Sequence, residues 1–306
     1  METVACNLCG SSQQELLWEG QDWMLGYPGQ FTMVRCVNCG LIFLNPRPAP
    51  DEMGLYYPDD YEPFRRTARA LKSPVKDLVR RVKLLPRVRI VCRSMAGGHL
   101  LDVGCAAGGF LREMDRTGKW SVRGIEPNAH LARFARKAFG LNVFSGRLAG
   151  ARFPDETFDV VTMWDVLEHV YDPQATLREV RRILKPGGVF IASVPNADSV
   201  DAQLFGRYWV GLDFPRHLYV FSESTLTDLL EKARLRPERF FCFYGRYTTF
   251  ALSLSLWLNA QIHNQVWQRR LRALLLLPIF RYLTMPYFLT LDALKLGAII
   301  TVRARK

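Results

Sequence analysis

The chain has 306 residues, enough to bury a core and, at ordinary domain sizes, to hold one large domain plus something smaller. Its 49% hydrophobic and 23% charged content excludes disordered and collagen-like classes. The net charge of +12 points to an anionic partner (nucleic acid, an acidic membrane surface or a phosphorylated substrate), with a solvated basic surface as the plain alternative.

Residues 1–60 carry two pairs, Cys6-x-x-Cys9 and Cys36-x-x-Cys39, each followed by a glycine (Gly10, Gly40) that eases a tight turn. Two such pairs at ribbon spacing predict a four-thiolate zinc site in a small zinc-ribbon lobe. Four sulfur ligands leave no open position, so the metal is expected to be structural Zn2+. A redox pair is the alternative. Cys92, Cys105 and Cys242 read as unpaired. Cysteine usage fits a reducing compartment, and the start METVACNLCG has no basic run leading into an apolar one, so a cytoplasmic location is expected.

Residues 61–96 form a basic helical linker. Ser73 as N-cap, Pro74 at the first helical position and Asp77 in the opening turn signal a helix start. Val75, Leu78, Val79 and Val82 share one face, expected to pack on the next domain or to lie on anionic lipid, and Pro86 is expected to end or kink the helix.

Residues 97–245 and 297–306 alternate short apolar runs with helix-period segments, which predicts βαβ units and a parallel sheet. Strands are expected at 99–104, 122–126, 141–144, 158–163, 189–194, 239–244 and 298–302. Helices are expected at 109–117, 127–139, 174–184, with Pro186-Gly187-Gly188 capping its end, and 222–233. Between the last two strands, residues 246–296 are apolar but interrupted by Pro278, Arg281, Pro286 and Asp292. They predict a helical insertion rather than a spanning segment, serving as a cap, a homodimer contact or a peripheral contact on the inner face of the membrane.

The turn Leu101-Asp102-Val103-Gly104-Cys105-Ala106-Ala107-Gly108-Gly109 joins a strand to a helix, where glycines allow close backbone approach to a ligand. The next strand ends in Glu126-Pro127, where a carboxylate can accept both ribose hydroxyls. The spacing is G-x-x-x-G-G rather than the G-x-G-x-x-G of pyrophosphate binders, which disfavours a nicotinamide-dependent oxidoreductase or epimerase. A sulfonium with an amino-acid tail needs room and a nearby acid, and Asp102 meets that need.

Residues 99–195 resemble the class I S-adenosylmethionine-dependent methyltransferase core of the type 11/23 kind, through LDVGCAAGGFL, GIEPN, FPDETFDVVTMWDVLEHVYDP and RRILKPGGVFIASVPN. The later GLDFPRHLYVFSESTLTDLLEKARLRP resembles a bacterial subgroup related to ubiquinone-pathway and sugar methyltransferases, whose N-terminal zinc lobes are structural. The resemblance implies an α/β, Rossmann-like, seven-stranded methyltransferase sheet with helices on both faces. It places Gly104, Gly108 and the backbone near Cys105 against the methionine portion, and Trp164 and Asp165 along the methyl-donor pocket. No acid lies between Phe144 and Arg152 to hold the adenine amine, which leaves backbone groups or Leu148.

Methyl transfer from a sulfonium needs alignment and, for some acceptors, a base. His169 and His217 are the candidates, each with a purely structural alternative. Expected acceptors are small or lipid-linked molecules, methylated at oxygen or carbon. No RNA-binding module is recognisable, so nucleic acid is disfavoured, although a nucleic-acid-binding zinc protein with a non-catalytic methyltransferase-like domain is the rival from a different class.

Overall fold

A computed structural model describes residues 1–57, 74–262, 264–275 and 277–306. The expected Ser73 cap and the expected domain boundary at residue 60 lie outside them. A small antiparallel sheet contains β1 (Gln14–Gly20), β2 (Phe31–Cys36) and β3 (Ile42–Leu44), in that order. The larger sheet begins with β4 (Gly98–Val103), β5 (Trp120–Glu126), β6 (Asn142–Ser145), β7 (Phe158–Trp164) and β8 (Leu184–Pro195), which run parallel. The small sheet then takes its fourth strand, β9 (Tyr219–Val220), from the far side of the chain, pairing Phe43 with Tyr219. Finally β10 (Arg236–Phe241) and β11 (Ile299–Arg305) complete the order β10-β11-β8-β7-β4-β5-β6, with β11 antiparallel to both neighbours. This is the expected Rossmann-like seven-stranded sheet.

Strand residues alternate between two buried faces. Leu100, Val160 and Ile191 join one core cluster, and Leu101, Val161 and Phe190 the other, as a parallel sheet covered on both sides requires. One face carries α1 (Pro74–Ser94), α2 (Gly109–Asp115) and α3 (Ala129–Phe139), through Val91, Met114 and Ala132. The other carries α4 (Pro173–Ile183), through Leu177 and Val180, and, beyond α5 (Val200–Phe205), α6 (Glu223–Lys232), through Leu229. The same cluster runs without a break into Phe31, Met33 and Phe43 of the small sheet.

Local chemistry sets the helix ends. The Asn128 side chain accepts from His130 and Leu131 N–H, so α3 starts after Pro127 rather than at it. Asp172 caps α4 ahead of Pro173. A capping box between Ser222 and Thr225 opens α6.

Two expectations fail here. Pro186-Gly187-Gly188 does not cap α4: that helix ends at Ile183, Leu184 is already extended, and Lys185 pairs with Asp159, so the segment opens β8. The stripe Val75, Leu78, Val79 and Val82 stays exposed instead of packing on the core, on a helix that runs through Pro86 to Ser94 and packs inward through Leu84, Val88 and Val91. The reason is electrostatic. Glu113 of α2 is buried, and α1 turns Arg80 towards it while Asp77 meets Arg112. A buried carboxylate facing aliphatic side chains would be left uncompensated.

The apolar insertion folds as α7 (Arg246–Gln261), α8 (Gln265–Leu275), α9 (Pro278–Leu283) and α10 (Met285–Ala293), directly before β11. Phe250 of α7 packs between Phe205 and Phe288. Among the described residues no helix is long and apolar enough to cross a membrane.

Candidate active site

The glycine turn leaves β4 with Gly104 at φ +74°, where a Cβ would stand 2.4 Å from Val166 Cγ2, and reaches α2 through Gly108 at φ +77°. Glu126, at the end of the neighbouring β5, closes it. One carboxylate oxygen accepts from Ala106 N–H and the other from Asn128 N–H, both at 2.8 Å. The turn and the acid are therefore brought together. Burial raises the Glu126 pKa, and the two N–H donors pull it back.

Asp102 lies beneath the turn. Burial pushes its carboxyl up to about 7, against the Thr162 hydroxyl, which donates to it at 2.7 Å, and the Arg87 cation. The Cys105 thiol is buried against Gly124 and raised by burial, so its backbone, not its sulfur, is what it offers. Pro127 is exposed beside Glu126. Leu148 opens a 3-10 turn, Leu148–Ala151, and joins the core cluster holding Val103 and Ile125.

Trp164 and Asp165 end β7 beside the turn, Asp165 at φ +58°. Here the structure adds two residues that sequence reasoning missed. Arg87 of α1 donates to Asp165 at 2.9 Å and lies over the rings of Trp164 and Tyr244 at 4.9 and 4.7 Å. The Tyr244 hydroxyl donates to the other Asp165 oxygen at 2.5 Å. Only the basic composition of residues 61–96 hinted at Arg87, and nothing local singled it out.

The two histidines, read separately in the sequence, form a pair. His169 sits in the turn Leu167–His169 after β7, and His217 in the loop before β9; their rings meet edge to face at 4.6 Å. His169 Nδ1 donates to the Arg216 carbonyl at 2.9 Å, and His217 Nδ1 donates to the Gly211 carbonyl at 2.8 Å, leaving both Nε2 atoms as acceptors. Burial, helped by His217, drives the His169 pKa down to about 3. Glu168 is buried, with one oxygen lacking a partner among the described residues, and burial raises its pKa well above the usual range. Glu168, His169 and His217 offer three ligand atoms within 4.8 Å of one another.

The small sheet grips this loop. Arg216 is fully buried and uses all five N–H groups: a fork on Asp22 (2.7 and 2.8 Å), a second on Asp213 (3.0 and 2.7 Å), and a longer bond to the Tyr56 carbonyl. Tyr57 adds a hydroxyl 3.2 Å from His169 Nδ1. The aromatic residues expected on an acceptor side divide: Trp209, Phe214 and Tyr219 are core, while Tyr208 is half-buried against Trp23.

At the other end of the small sheet, the four cysteine sulfurs converge, with Cys6–Cys39 at 3.5 Å and Cys9–Cys36 at 3.4 Å. These are too long for disulfides and close to the edges of a tetrahedral thiolate site. The two knuckles repeat: Gly10 N–H donates to the Cys6 carbonyl and Gly40 N–H to the Cys36 carbonyl.

A seven-stranded sheet with its last strand reversed and a glycine turn closed by a glutamate define a Rossmann-like fold of the methyltransferase kind. The family model described as a methyltransferase domain matches residues 67–238, more than half the chain. The chain belongs to this family of S-adenosylmethionine-dependent methyltransferases. Among curated proteins, it is 36% identical over 155 residues to a ubiquinone biosynthesis O-methyltransferase of Cereibacter sphaeroides, covering 46% of this chain and 61% of that one. It is 31% identical over 171 residues to a protein of the same name from Ralstonia nicotianae, covering 50% and 71%. A solved structure described as a methyltransferase from Bacillus halodurans shares the fold at 18% identity and a TM-score of 0.50, covering 72% of this chain and 98% of that one. The chain thus spans 61% of the length of the first relatives it matches.

Proposed function

We propose that this enzyme transfers a methyl group from S-adenosylmethionine to an oxygen or carbon of a small or lipid-linked acceptor. The observation that carries this reading is the closure of the glycine turn by Glu126, 2.8 Å from Ala106 N–H, beside Trp164 and Asp165. The bound donor supplies an electrophilic methyl on a sulfonium. Glu126 would take the ribose hydroxyls, and the backbone of Gly104, Cys105 and Gly108 the methionine portion. Asp102 would add negative potential near the sulfonium, and Leu148 an apolar wall for adenine. Arg87, half-buried and paired with Asp165, is the cation proposed to lie nearest the methionine carboxylate.

His217 is the proposed base. Its Nδ1 is held by the Gly211 carbonyl, and its Nε2 can receive a proton from the acceptor. His169, with its pKa near 3, is a poor proton acceptor and serves to orient His217. The relatives named as O-methyltransferases favour an oxygen acceptor. Calorimetry should show binding of S-adenosylmethionine and none of NAD, and His217→Ala should lower labelled-methyl turnover by about 10²- to 10⁴-fold with donor affinity unchanged. An enzyme that binds no donor overturns the reading; unaltered turnover removes His217 as base.

The four thiols are proposed to hold one structural Zn2+ through Cys6, Cys9, Cys36 and Cys39. Metal analysis should find one zinc per chain. Stripping it should lower the melting temperature, with recovery on adding zinc. A metal-free protein of unchanged melting temperature contradicts this.

A further inference from the structure

The N-terminal half of helix α1 is inside out for a helix on a soluble core, while Leu84, Val88 and Val91 further along pack inward. Its charged side chains Asp77, Arg80 and Arg87 face the core and are ion-paired there. Val75, Leu78, Val79 and Val82, at helical i, i+3, i+4, i+7 spacing, are 71%, 57%, 49% and 54% exposed. A second apolar surface lies on α8 and α9, where Trp267, Ile279, Tyr282 and Leu283 are all more than half exposed. The two surfaces are linked through the same connection: Arg87 of α1 lies over Tyr244, which leads into α7, and α8 packs against α7. Exposed apolar stripes of this kind mark an interaction site.

The surrounding charge selects the occupant. Within residues 74–96 the only acid is Asp77, and within 246–296 it is Asp292; both are ion-paired, to Arg80 and Arg112 and to Arg246. The cations beside the apolar side chains are exposed: Lys83 and Arg89 on α1, Arg270 on α8 and Arg281 on α9. Self-association through these faces would bring cation against cation. Aliphatic stripes with Trp and Tyr at their margin and only basic neighbours match an anionic lipid surface, where the apolar side chains enter the acyl boundary and the cations meet phosphate.

We infer that α1 and α8–α9 form one interfacial surface that seats the enzyme on an anionic bilayer, with the donor pocket opening beside it. The inference goes beyond the proposed reaction and is measured without turnover, so either can fail alone. The purified full chain is sedimented with phosphatidylcholine vesicles, with and without phosphatidylglycerol. Binding is expected only to the anionic vesicles and should weaken with salt. The double variant Leu78→Glu/Val82→Glu should lower the partition coefficient at least about tenfold. Ile279→Glu/Leu283→Glu should do likewise, and Lys83→Glu/Arg89→Glu should lower it about tenfold on anionic vesicles. An unchanged melting temperature and donor affinity show that the variants are folded. Equal vesicle binding by wild type and Leu78→Glu/Val82→Glu, or none by either, overturns the inference. So does a variant that only converts a dimer to a monomer, or a wild type that prefers RNA to anionic vesicles.

Discussion

Asp22→Ala is expected to lower the melting temperature by about 10 °C. Arg216 is fully buried, and Asp22 accepts one of its two carboxylate forks at 2.7 and 2.8 Å. Removing one partner of such a pair strands the other charge, which costs about 3–5 kcal/mol. In a chain of this size each kcal/mol is worth roughly 2–4 °C. The same change should reduce turnover more than stability alone explains, because the Arg216 carbonyl accepts from His169 Nδ1 and the next residue is His217. Asp22→Asn keeps an acceptor and should fall between. A thermal melt of Asp22→Ala within about 2 °C of wild type would show that the clamp carries little.

Glu126→Ala is expected to weaken S-adenosylmethionine binding by about 100-fold or more in calorimetry. Hydrogen bonds from two ribose hydroxyls to a charged group are worth about 1.5–3 kcal/mol each. The substitution also removes the acceptor for Ala106 and Asn128 N–H, so the turn itself loosens. Glu126→Gln, which can still accept at one oxygen, should lose less. An affinity within about threefold of wild type would remove Glu126 from the nucleoside site.

The succession of strands and helices was legible because each βα unit announces itself locally: an apolar run, a glycine or asparagine turn, then a helix with its cap. The Gly104 turn and Glu126 lie about twenty residues apart in one such unit, and the spacing alone placed them together. The cysteine pairs were legible for a similar reason, since each knuckle is a local turn closed on its own glycine.

What escaped the sequence depends on partners far along the chain. Asp22 and Arg216 are separated by 194 positions, and neither carries a local mark. The orientation of α1 depended on Glu113, a residue of another helix, so the 3.6-residue periodicity identified the stripe correctly and assigned it to the wrong side. Pro186-Gly187-Gly188 has the composition of a helix stop, but the strand that follows β7 begins two residues earlier and absorbs it. The pairing of His169 with His217 needed the loop before β9 to fold back over the end of β7, which no spacing rule reports.

The loan of β9 to the small sheet has a consequence for dissecting the chain. The cysteine-bearing segment is not built as a detachable module. Excision would bare the Ile42–Val220 seam and leave Arg216 with half its carboxylates, so the loop bearing His217 would have to be rewritten at the same time. Trimming the chain to a minimal transferase should therefore yield insoluble material rather than a smaller enzyme.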